Sequence, residues 1–476
     1  MTKLQTSDAR ALSVTSNGQI PAFAGRPSLH ELLARGAELR KKIQRRAHAV
    51  WQAPSNRPDP VQLIEEGNQG RIPQLLPVRH GRMIQSPFTY YRGSALAMAV
   101  DLANLPTTGV RVQACGDAHL GNFRIFATPE RRTIFDIHDL DETLPAPWEW
   151  DVKRLAASFV IASRNNGLSE KKAREAVLAC IRSYREHMAE FSEMGALEMW
   201  YHSLDANKLI EDLEDEKMRG RAKKRLAKAK AQSALEYDFP KLADTASDVP
   251  IIRDDPPLIY HVEGQGTEEF DAAVREAFTR YRSTLSDDRR ILLDRYEFKD
   301  MTIKVVGVGS VGTFCAVILL MAGERDPLFL QVKQASESVL ERFAGKSVYP
   351  NHGQRVVQGH RLMQSSSDMF LGWTEGRAGR HFYIRQLRDV KIKAAIEAFG
   401  SAEMLQFAKW CGWTLARAHA RSGEPAVIAG YLGDADTFDM AIADFSAAYA
   451  DQTEKDHEIL TKAVRAGKLQ AMIEHE

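Results

Sequence analysis

Residue types that suit metal and proton chemistry are concentrated in one stretch, residues 112–151. An apolar approach leads into a loop whose polar side chains are Asp117, His119 and Asn122. A second apolar run delivers an acidic group, Asp136, Asp139, Asp141 and Glu142. Mg²⁺ prefers oxygen ligands and usually binds through one or two carboxylates together with substrate phosphates. We therefore expect a magnesium site whose candidate ligands are Asn122, Asp136, Asp139 and Asp141.

Two β-type runs have to bring these groups together. Residues 123–126 and 133–135 are short and apolar, and the polar turn between them contains Pro129. This pattern is typical of a β-hairpin. Because a hairpin brings its outer ends together, the loop before the first run is expected to face the acidic group after the second.

A structural interpretation of the charged residues remains open. Clustered carboxylates repel one another unless a cation or a basic partner compensates them. Basic residues that could compensate this cluster are Arg131, Arg132, Lys153 and Arg154. Upstream, three further arginines have side chains suited to phosphate, although structural ion pairs explain them equally well: Arg79, Arg82 and Arg92.

A second candidate region begins near Asp300 and contains a glycine-rich turn. An apolar strand over residues 302–306 leads into this turn, whose key residues are Gly307, Gly309, Ser310 and Gly312. A dinucleotide-binding fold would need a helix and then a second strand that ends in an acid. The interval from Gly312 to Asp326 is too short for both elements. We therefore favour a β-hairpin that covers nucleotide phosphates, with a lysine on the next strand.

This interpretation assigns further residues to nucleotide binding. Lys333 ends the next strand and would grip the phosphates, and a short helix behind it carries Glu337 and Glu341, which would orient the lysine. The strand over residues 381–387 carries Arg385 and would lie beside the adenine. The structural alternative is a tight turn followed by an ordinary edge-strand lysine.

Composition places the chain among ordinary globular proteins. Its 476 residues predict two or three domains, and 44% of them are hydrophobic. The net charge of +1 gives no global attraction to nucleic acid or membrane, and the basic helix predicted over residues 211–232 lacks the interleaved aromatic residues of a nucleic-acid site. The four cysteines are scattered without a CxxC pair, which argues against a disulfide framework. Because the N-terminus lacks an apolar signal core and the apolar run over residues 311–323 is too short to span a bilayer, we expect a cytoplasmic protein.

The loop sequence from Gly116 to Asn122, GDAHLGN, resembles the catalytic loop of aminoglycoside and choline kinase-like enzymes. The spacing of two residues from the aspartate to the histidine and of five to the asparagine matches that motif. One departure is Cys115, which stands where the motif has its first histidine.

The resemblance implies roles for individual residues. Asp117 would be the catalytic base that accepts the proton of the acceptor hydroxyl. Asn122 and Asp139 would hold Mg²⁺, with Asp141 a possible second ligand and Asp136 a competing assignment. Asp151, twelve residues after Asp139, would be a structural acid that opens a helix.

The order of the motifs differs from that of those kinases. Their glycine turn and lysine precede the catalytic loop, whereas here these elements follow it by about 190 residues. A helix ending at residues 415–419 resembles the one that normally leads into the catalytic loop, yet it lies near the C-terminus. The resemblance therefore implies an α/β (α+β) class and a two-lobed protein kinase-like fold that is circularly permuted, with a helix-rich larger lobe. Permutation is tolerated where the break falls in an exposed loop and the joined ends lie close together.

Four parts are expected in such a chain. They are an N-terminal helical leader (1–54), a catalytic-loop part of the larger lobe with a helical insertion (55–300), a β-rich nucleotide-binding lobe (301–395) and a C-terminal helical part of the larger lobe (396–476). The chain as a whole also resembles a bacterial family known as domain of unknown function 2252. That resemblance spans most of residues 55–455, implies no substrate, and is carried by the stretches RHGRMIQSPFTYYRGSA, GDAHLGNF, FDIHDLDET, PWEWDVKRLAAS, QGHRLMQ and ARAHARSG.

The expected activity is an ATP- and Mg²⁺-dependent transfer of a phosphoryl or nucleotidyl group to a hydroxyl of a small molecule or protein. The alternative enzyme is a metal-dependent hydrolase with a two-metal centre, whose ligands would be His119, His138, Asp117, Asp136, Asp139 and Asp141. That alternative leaves the glycine turn and Lys333 without a role. A non-catalytic nucleotide-binding regulator is the third possibility. No membrane partner is expected, and a nucleic-acid partner is disfavoured.

Overall fold

The computed structural model describes residues 27–231, 239–244, 250–261, 265, 267–305, 307–324, 326–387 and 390–474. The first 26 residues of the expected N-terminal leader (1–54) lie outside the described residues. Val306, which was expected to end the strand before the glycine turn, also lies outside them.

Helices make up most of the regular structure. In chain order they are Leu29–Lys42 (α1), Pro60–Glu66 (α2), Leu76–Met83 (α3), Pro87–Gly93 (α4), Ala95–Leu102 (α5), Trp148–Asn165 (α6), Glu170–Glu193 (α7), Ala196–Tyr201 (α8), Ala206–Glu211 (α9), Glu216–Ala231 (α10), Phe239–Leu242 (α11), Glu268–Ser283 (α12), Asp287–Leu293 (α13), Glu341–Ala344 (α14), His352–Met363 (α15), Ser401–Ser422 (α16), Pro425–Leu432 (α17) and Thr437–Arg465 (α18).

The strands are shorter and form several small sheets. They are Arg111–Ala114 (β1), Phe123–Ala127 (β2), Thr133–Ile137 (β3), Leu144–Pro147 (β4), Ala243–Asp244 (β5), Ile251–Ile252 (β6), Ile259–Tyr260 (β7), Glu297–Lys304 (β8), Cys315–Met321 (β9), Pro327–Ala335 (β10), Gly372–Glu375 (β11), His381–Gln386 (β12) and Lys391–Lys393 (β13). The mixed α+β class expected from the sequence is confirmed.

The largest sheet has the strand order β11-β12-β10-β9-β8-β7, and its neighbouring strands are antiparallel. Strand β9 is buried along its whole length. Its alternate side chains enter two different apolar clusters, Ile318 on the side of α12 and α13 and Leu319 on the side of α11. A strand covered on both faces needs apolar residues at every position, which explains the unbroken sequence CAVILLM.

The hairpin predicted between residues 123 and 135 is confirmed. Strands β2 and β3 pair antiparallel from Phe123 opposite Ile137 to Ala127 opposite Thr133, and β13 adds a third strand beside β2. Arg131 closes the intervening turn with a positive φ of 65°. The outer ends of the hairpin therefore lie side by side, as a shared site requires.

The main apolar core lies among the long helices α6, α7, α16 and α18. Helix α6 is buried from Trp148 to Ser163, and Leu155 and Phe159 are among its fully enclosed side chains. Its charged residues are enclosed as well, so they need partners inside the protein. The four cysteines are buried and unpaired. Among the described residues, no helix combines the length and apolar character needed to cross a membrane.

Candidate active site

The loop that precedes the hairpin is held from below by the first turns of helix α6. The Asp151 carboxylate accepts hydrogen bonds from the backbone N–H groups of Cys115 (2.5 Å) and Gly116 (2.9 Å). His419, near the end of α16, lies 3.2 Å from the same carboxylate and is itself 2.9 Å from the Tyr184 hydroxyl. An acid that opens a helix thus fixes the start of the loop, through contacts that are buried throughout.

The middle of the loop is also constrained from within. The Leu120 N–H donates to Ser158 Oγ at 3.0 Å, and the Gly121 N–H donates to His119 Nδ1 at 3.1 Å. Burial lowers the pKa of His119 to about 3, so the imidazole is neutral at physiological pH. This histidine therefore shapes the loop.

The carboxylate of Asp117 projects from this loop and meets Arg154 of helix α6. Arg154 Nε donates to Asp117 Oδ1 at 2.7 Å. The other oxygen, Oδ2, lies 3.8 Å from His119 Nε2, and the side chain keeps 21% of its exposure. One oxygen is thus held by a buried guanidinium, while the other faces the cleft.

Asn122 closes the loop in an orientation that suits a metal ligand. Its Nδ2 donates to the backbone carbonyl of Asp117 at 2.7 Å, which turns the carbonyl oxygen of the side chain away from that bond. The backbone carbonyl of Asn122 accepts from the His138 N–H at 2.8 Å. The second bond links the loop directly to the residue before Asp139.

The acidic turn after β3 is joined to the distant lysine. Lys333 Nζ donates to Asp141 Oδ2 at 2.6 Å and to Asp139 Oδ1 at 3.3 Å, across nearly 200 residues of sequence. The lysine is 3% exposed, whereas the two carboxylate side chains are about one-third exposed. The structure therefore brings together the early acids and the late strand, as the sequence-based interpretation requires.

Charges in this group reinforce one another. Burial alone would lower the pKa of Lys333, but Asp139 and Asp141 hold it well above its ordinary value. Burial would likewise raise the pKa of Asp139, yet the positive charges of Lys333, Arg385 and Arg124 lower it. Both partners are therefore charged at neutral pH.

Two residues that were not assigned from the sequence complete the acidic turn. Tyr383 lies opposite Lys333 in the β10–β12 register, and its hydroxyl donates to Asp141 Oδ1 at 2.5 Å. Arg355 of helix α15 donates to the backbone carbonyls of Asp141 (2.9 Å) and Thr143 (2.6 Å). In the sequence, the i, i+2 spacing of Tyr383 and Arg385 in one strand was the only signal that both face the cleft. Arg355 left no comparable signal.

The glycine turn lies over the same acids. Ser310 Oγ lies 3.4 Å from Asp141 Oδ2, and Gly307 and Gly309 line the cleft. Gly312 has a positive φ of 86°, a conformation that favours glycine. The turn is secured from outside, because Arg71 Nη1 donates to the Val311 carbonyl at 2.6 Å.

Arg385 belongs to the floor of the cleft. Its Nη1 donates to the His138 carbonyl at 3.0 Å and its Nε donates to Gln331 Oε1 at 3.3 Å. It also lies over the Tyr383 ring at 5.8 Å. Part of its hydrogen-bonding capacity is therefore used to connect β12 to the acidic turn.

Three sequence-predicted residues are placed elsewhere. Asp136 is fully buried, and its carboxylate accepts from Arg417 Nη2 (2.7 Å) and from Ser365, so it is occupied within the core. Glu341 accepts from two backbone N–H groups, and Glu337 is exposed and paired with Lys346. The partners of Lys333 are therefore the aspartates after β3, because both glutamates are used elsewhere and α14, Glu341–Ala344, begins after Glu337.

These groups line one cleft of about 330 Å³. Its walls come from the early loop, the acidic turn, the glycine turn and the segment of helices α2 to α5. The charged side chains around it are Arg71, Arg79, Arg92, Arg124, Lys333, Arg385 and Lys391 against Asp117, Asp139, Asp141 and Glu142. Cations outnumber carboxylates by seven to four, so the cleft as a whole favours an anionic ligand.

The three upstream arginines, Arg79, Arg82 and Arg92, differ in the contacts that their side chains make. Arg82 pairs with Glu474 at 2.6 Å, and Arg79 donates to the Asn68 side chain and to the Gly93 carbonyl. These two are structural. Arg92 lies in the cleft wall, and its Nε is buried with no hydrogen-bond partner among the described residues.

Comparison with known proteins places most of the chain in one family. Residues 71–463 match the family described as "Uncharacterized protein conserved in bacteria (DUF2252)". The resemblance to this family seen in the sequence is thereby confirmed. Searches of curated proteins and of solved structures found no match.

Proposed function

The chain belongs to the bacterial DUF2252 family, whose description states no activity, and we propose from the site itself that it is an ATP- and Mg²⁺-dependent kinase-like transferase acting on a hydroxyl. The observation that carries the proposal is the position of Lys333. Its ammonium lies within hydrogen-bonding distance of Asp139 and Asp141, in the cleft that also holds Asp117 and the glycine turn.

The proposed transfer needs positioning and charge neutralisation more than covalent chemistry. The acceptor oxygen attacks the γ-phosphorus, the bond from that phosphorus to the β–γ bridging oxygen breaks, and ADP leaves. The acceptor proton passes to Asp117 Oδ2, the oxygen that Arg154 leaves free. Arg154 would hold the carboxylate in place during this step.

The donor set fits Mg²⁺. The Asn122 amide oxygen is turned away from its internal hydrogen bond, and Asp139 retains the oxygen that Lys333 does not contact. Two protein ligands are the usual number for a magnesium ion that is otherwise held by water and phosphate. When bound, the ion would neutralise charge on the phosphates, and Asp141 would be the nearest additional ligand.

Lys333 would serve the nucleotide by exchanging partners. Its ammonium now neutralises the two aspartates, and a triphosphate with its metal ion would supply competing anionic oxygens. Backbone N–H groups of Gly307 and Gly309 would approach the phosphates from above, since glycine has no Cβ. Arg385 would contribute positive charge at the base of the cleft.

A permuted two-lobed kinase-like fold accounts for the chain order. The Gln113 N–H, just before the catalytic loop, donates to Ser422 Oγ at the end of α16, at 3.0 Å. The late helix thus ends where the early strand β1 begins, although 309 residues separate these two positions. Joining the two would restore the helix-to-loop order of the kinases, which supports a permutation between these points.

The hydrolase alternative has less support. Among the described residues, no three or more His, Cys, Asp or Glu side chains are grouped so as to hold a metal ion. Burial lowers the pKa values of both His119 and His138, and His119 is used within its own loop. A magnesium ion that shares its ligands with a nucleotide does not require such a group.

The test is thermal unfolding of the full chain with ATP, GTP or NAD, each with and without Mg²⁺. A ligand that binds the folded state raises the melting temperature. We expect Mg-ATP to stabilise the wild type by several degrees and to have no effect on Lys333→Met. The matched control is Lys299→Met, a lysine of β8 in the same sheet that pairs with Glu297 away from the cleft; it should retain the full shift.

Turnover with ATP labelled at the α- or the γ-phosphate then identifies the group that is transferred. Asp117→Asn should bind Mg-ATP and lose transfer, because the amide can still accept from Arg154 but cannot take a proton. A shift with NAD alone would support the dinucleotide interpretation instead. Tightly retained zinc, manganese or iron would support the hydrolase, and binding without turnover on any acceptor would support the regulator.

A further inference from the structure

Two arginines in the wall of the cleft each have a guanidinium donor that no described residue accepts from. The Nε atoms of Arg92 and Arg124 are both buried and without a hydrogen-bond partner among the described residues. Burial lowers the pKa values of both guanidinium groups, although neighbouring carboxylates oppose that shift. Buried donors without partners are costly, so their retention points to a ligand that satisfies them.

The two guanidinium groups lie beside the catalytic loop. A Cβ built on Gly121 would lie 3.8 Å from Arg92 Nε, so Arg92 borders the loop that carries Asp117. Arg124 follows Asn122 by two residues and is the second residue of strand β2. Any group bound between the two arginines would therefore lie next to the proposed base.

A lysine completes the cluster. Lys393 of β13 is directly opposite Arg124 in the antiparallel register. Like charges at such positions are destabilising unless something compensates them. The positive charges of Arg92 and Arg124 act on Lys393, and the exposed Glu397 opposes them. Asp117 and Asp139 act on Arg92 as well, so the surplus of positive charge belongs to the cleft as a whole, where seven cations face four carboxylates.

The cluster also faces a second cavity. This cavity, of about 780 Å³, is lined by Arg124 and Lys393. Its described lining includes neither Lys333 nor any residue of the glycine turn. Arg124 lines both cavities, so a molecule in the second cavity would adjoin the cleft that holds Asp117 at this arginine.

We propose that Arg92, Arg124 and Lys393 bind a phosphate group of the acceptor, so that the acceptor is a phosphorylated alcohol. The assignment of this phosphate to the acceptor rests on the proposed kinase-like function. A phosphate monoester carries a charge of about −1.5 to −2 at pH 7, and the cleft that contains Arg92 and Arg124 has more cations than carboxylates to receive it. Guanidinium forks suit phosphate oxygens because they donate two parallel hydrogen bonds.

The test is calorimetric titration of the full chain with inorganic phosphate, with and without saturating Mg²⁺ and a non-hydrolysable ATP analogue. We expect phosphate to bind in both conditions, and its affinity to fall at least tenfold in Arg124→Gln and in Arg92→Gln. The affinity for the analogue should change less than threefold. The control is Arg253→Gln, an exposed arginine that lines neither cavity; it should match the wild type.

Other outcomes overturn the proposal. Failure of the wild type to bind phosphate would remove the site. Competition between phosphate and the analogue, with both affinities weakened in Arg124→Gln, would assign the arginines to the nucleotide. Acetate binding as tightly as phosphate would replace the phosphate with a carboxylate. If the analogue fails to bind but phosphate binding still depends on both arginines, the anion site stands and the kinase-like function falls.

Discussion

The early loop over residues 115–122 and the glycine turn over residues 307–312 face one cleft but are held in different ways. The early loop is almost wholly buried, and its backbone is tied to Asp151 and Ser158 on helix α6. The glycine turn exposes Gly307 and Gly309 and is anchored by Arg71 and by the buried Val308 and Val311, which pack in two small apolar clusters. One half of the site is therefore part of the main core, while the other half is partly exposed and packs outside that core. Substitutions below the early loop should cost stability, and those in the turn should cost little.

The largest expected effect is at Asp151. Asp151→Ala removes the acceptor for two buried N–H groups and leaves His419 without its carboxylate. Each unsatisfied buried group costs about 1–3 kcal/mol, so we expect at least ~3 kcal/mol lost from the free energy of unfolding. Urea denaturation measures this. Asp444→Ala, which removes an exposed ion pair with Arg174, should cost less than ~1 kcal/mol. Equal costs for the two variants would refute the comparison.

Two aspartates three residues apart should behave in opposite ways. Asp136→Ala leaves buried Arg417 without its partner, and such losses cost about 3–5 kcal/mol. Asp139→Ala should cost much less stability, because Asp141 still compensates the buried Lys333 ammonium at 2.6 Å. Mg-ATP binding should show the reverse order, with at least a tenfold loss in Asp139→Ala. If Mg-ATP still bound to Asp139→Ala but not to a folded Asp136 variant, Asp136 would be the metal ligand and Asp139 the structural acid.

Low pH should lower the stability of the folded state, because several histidines are buried. Burial lowers the pKa values of His48, His119 and His360 to about 3, against about 6.5 in an unfolded chain. Between these values the unfolded state binds more protons, so stability is complete above pH 6.5 and falls as the pH drops towards 3. At pH 5 each histidine accounts for up to about 2 kcal/mol.

Urea midpoints at pH 7.5 and pH 5 measure this dependence. His119→Gln keeps an acceptor for the Gly121 N–H and should reduce the difference between the two midpoints. The control is the exposed His30→Gln. An unchanged difference in His119→Gln would mean that the loop histidine is not protected from protons, contrary to a loop that belongs to the core.

The smallest expected effect is in the glycine turn. Gly312→Ala places a Cβ at φ +86° and 3.1 Å from Arg71 Cβ, and a left-handed conformation costs a non-glycine residue about 1–2 kcal/mol. Gly307→Ala has open space and a φ of −57°, so its cost should be below ~0.5 kcal/mol. Thermal unfolding of both variants, made in parallel, separates the strained position from the free one. A cost in Gly307→Ala above that of Gly312→Ala would show that the turn is held differently.

Local pattern was enough to predict several elements of the fold. Two apolar runs around a proline-containing turn predicted the β2–β3 hairpin, and helices were expected to open near Asp151 and to end near residue 419, where α6 begins at Trp148 and α16 ends at Ser422. The expected helix carrying both Glu337 and Glu341 is not formed, because only Glu341–Ala344 is helical there. A segment of that length gains little from helix propensity, so its tertiary contacts decide its conformation.

For the candidate site, residue type identified the participants better than their partners. Asp117, Asn122, Asp139, Asp141 and Lys333 lie in one cleft, as the motif spacing suggested. The glutamates expected to orient the lysine lie elsewhere. Asp141 accepts a hydrogen bond from the lysine instead, and Tyr383 donates to the Asp141 carboxylate. Asp136 looked equivalent to its neighbours in sequence, yet it faces Arg417 in the core.

By itself, the sequence determined which short segments form strands and helices, and which loops carry acids, amides and glycines, because these depend on contacts between near neighbours. Only the tertiary structure decided which acid pairs with Lys333 and which acid pairs with Arg417. It also decided which arginine Nε atoms find no hydrogen-bond partner among the described residues. Those outcomes depend on packing between segments up to about 300 residues apart, and spacing along a chain contains no record of it.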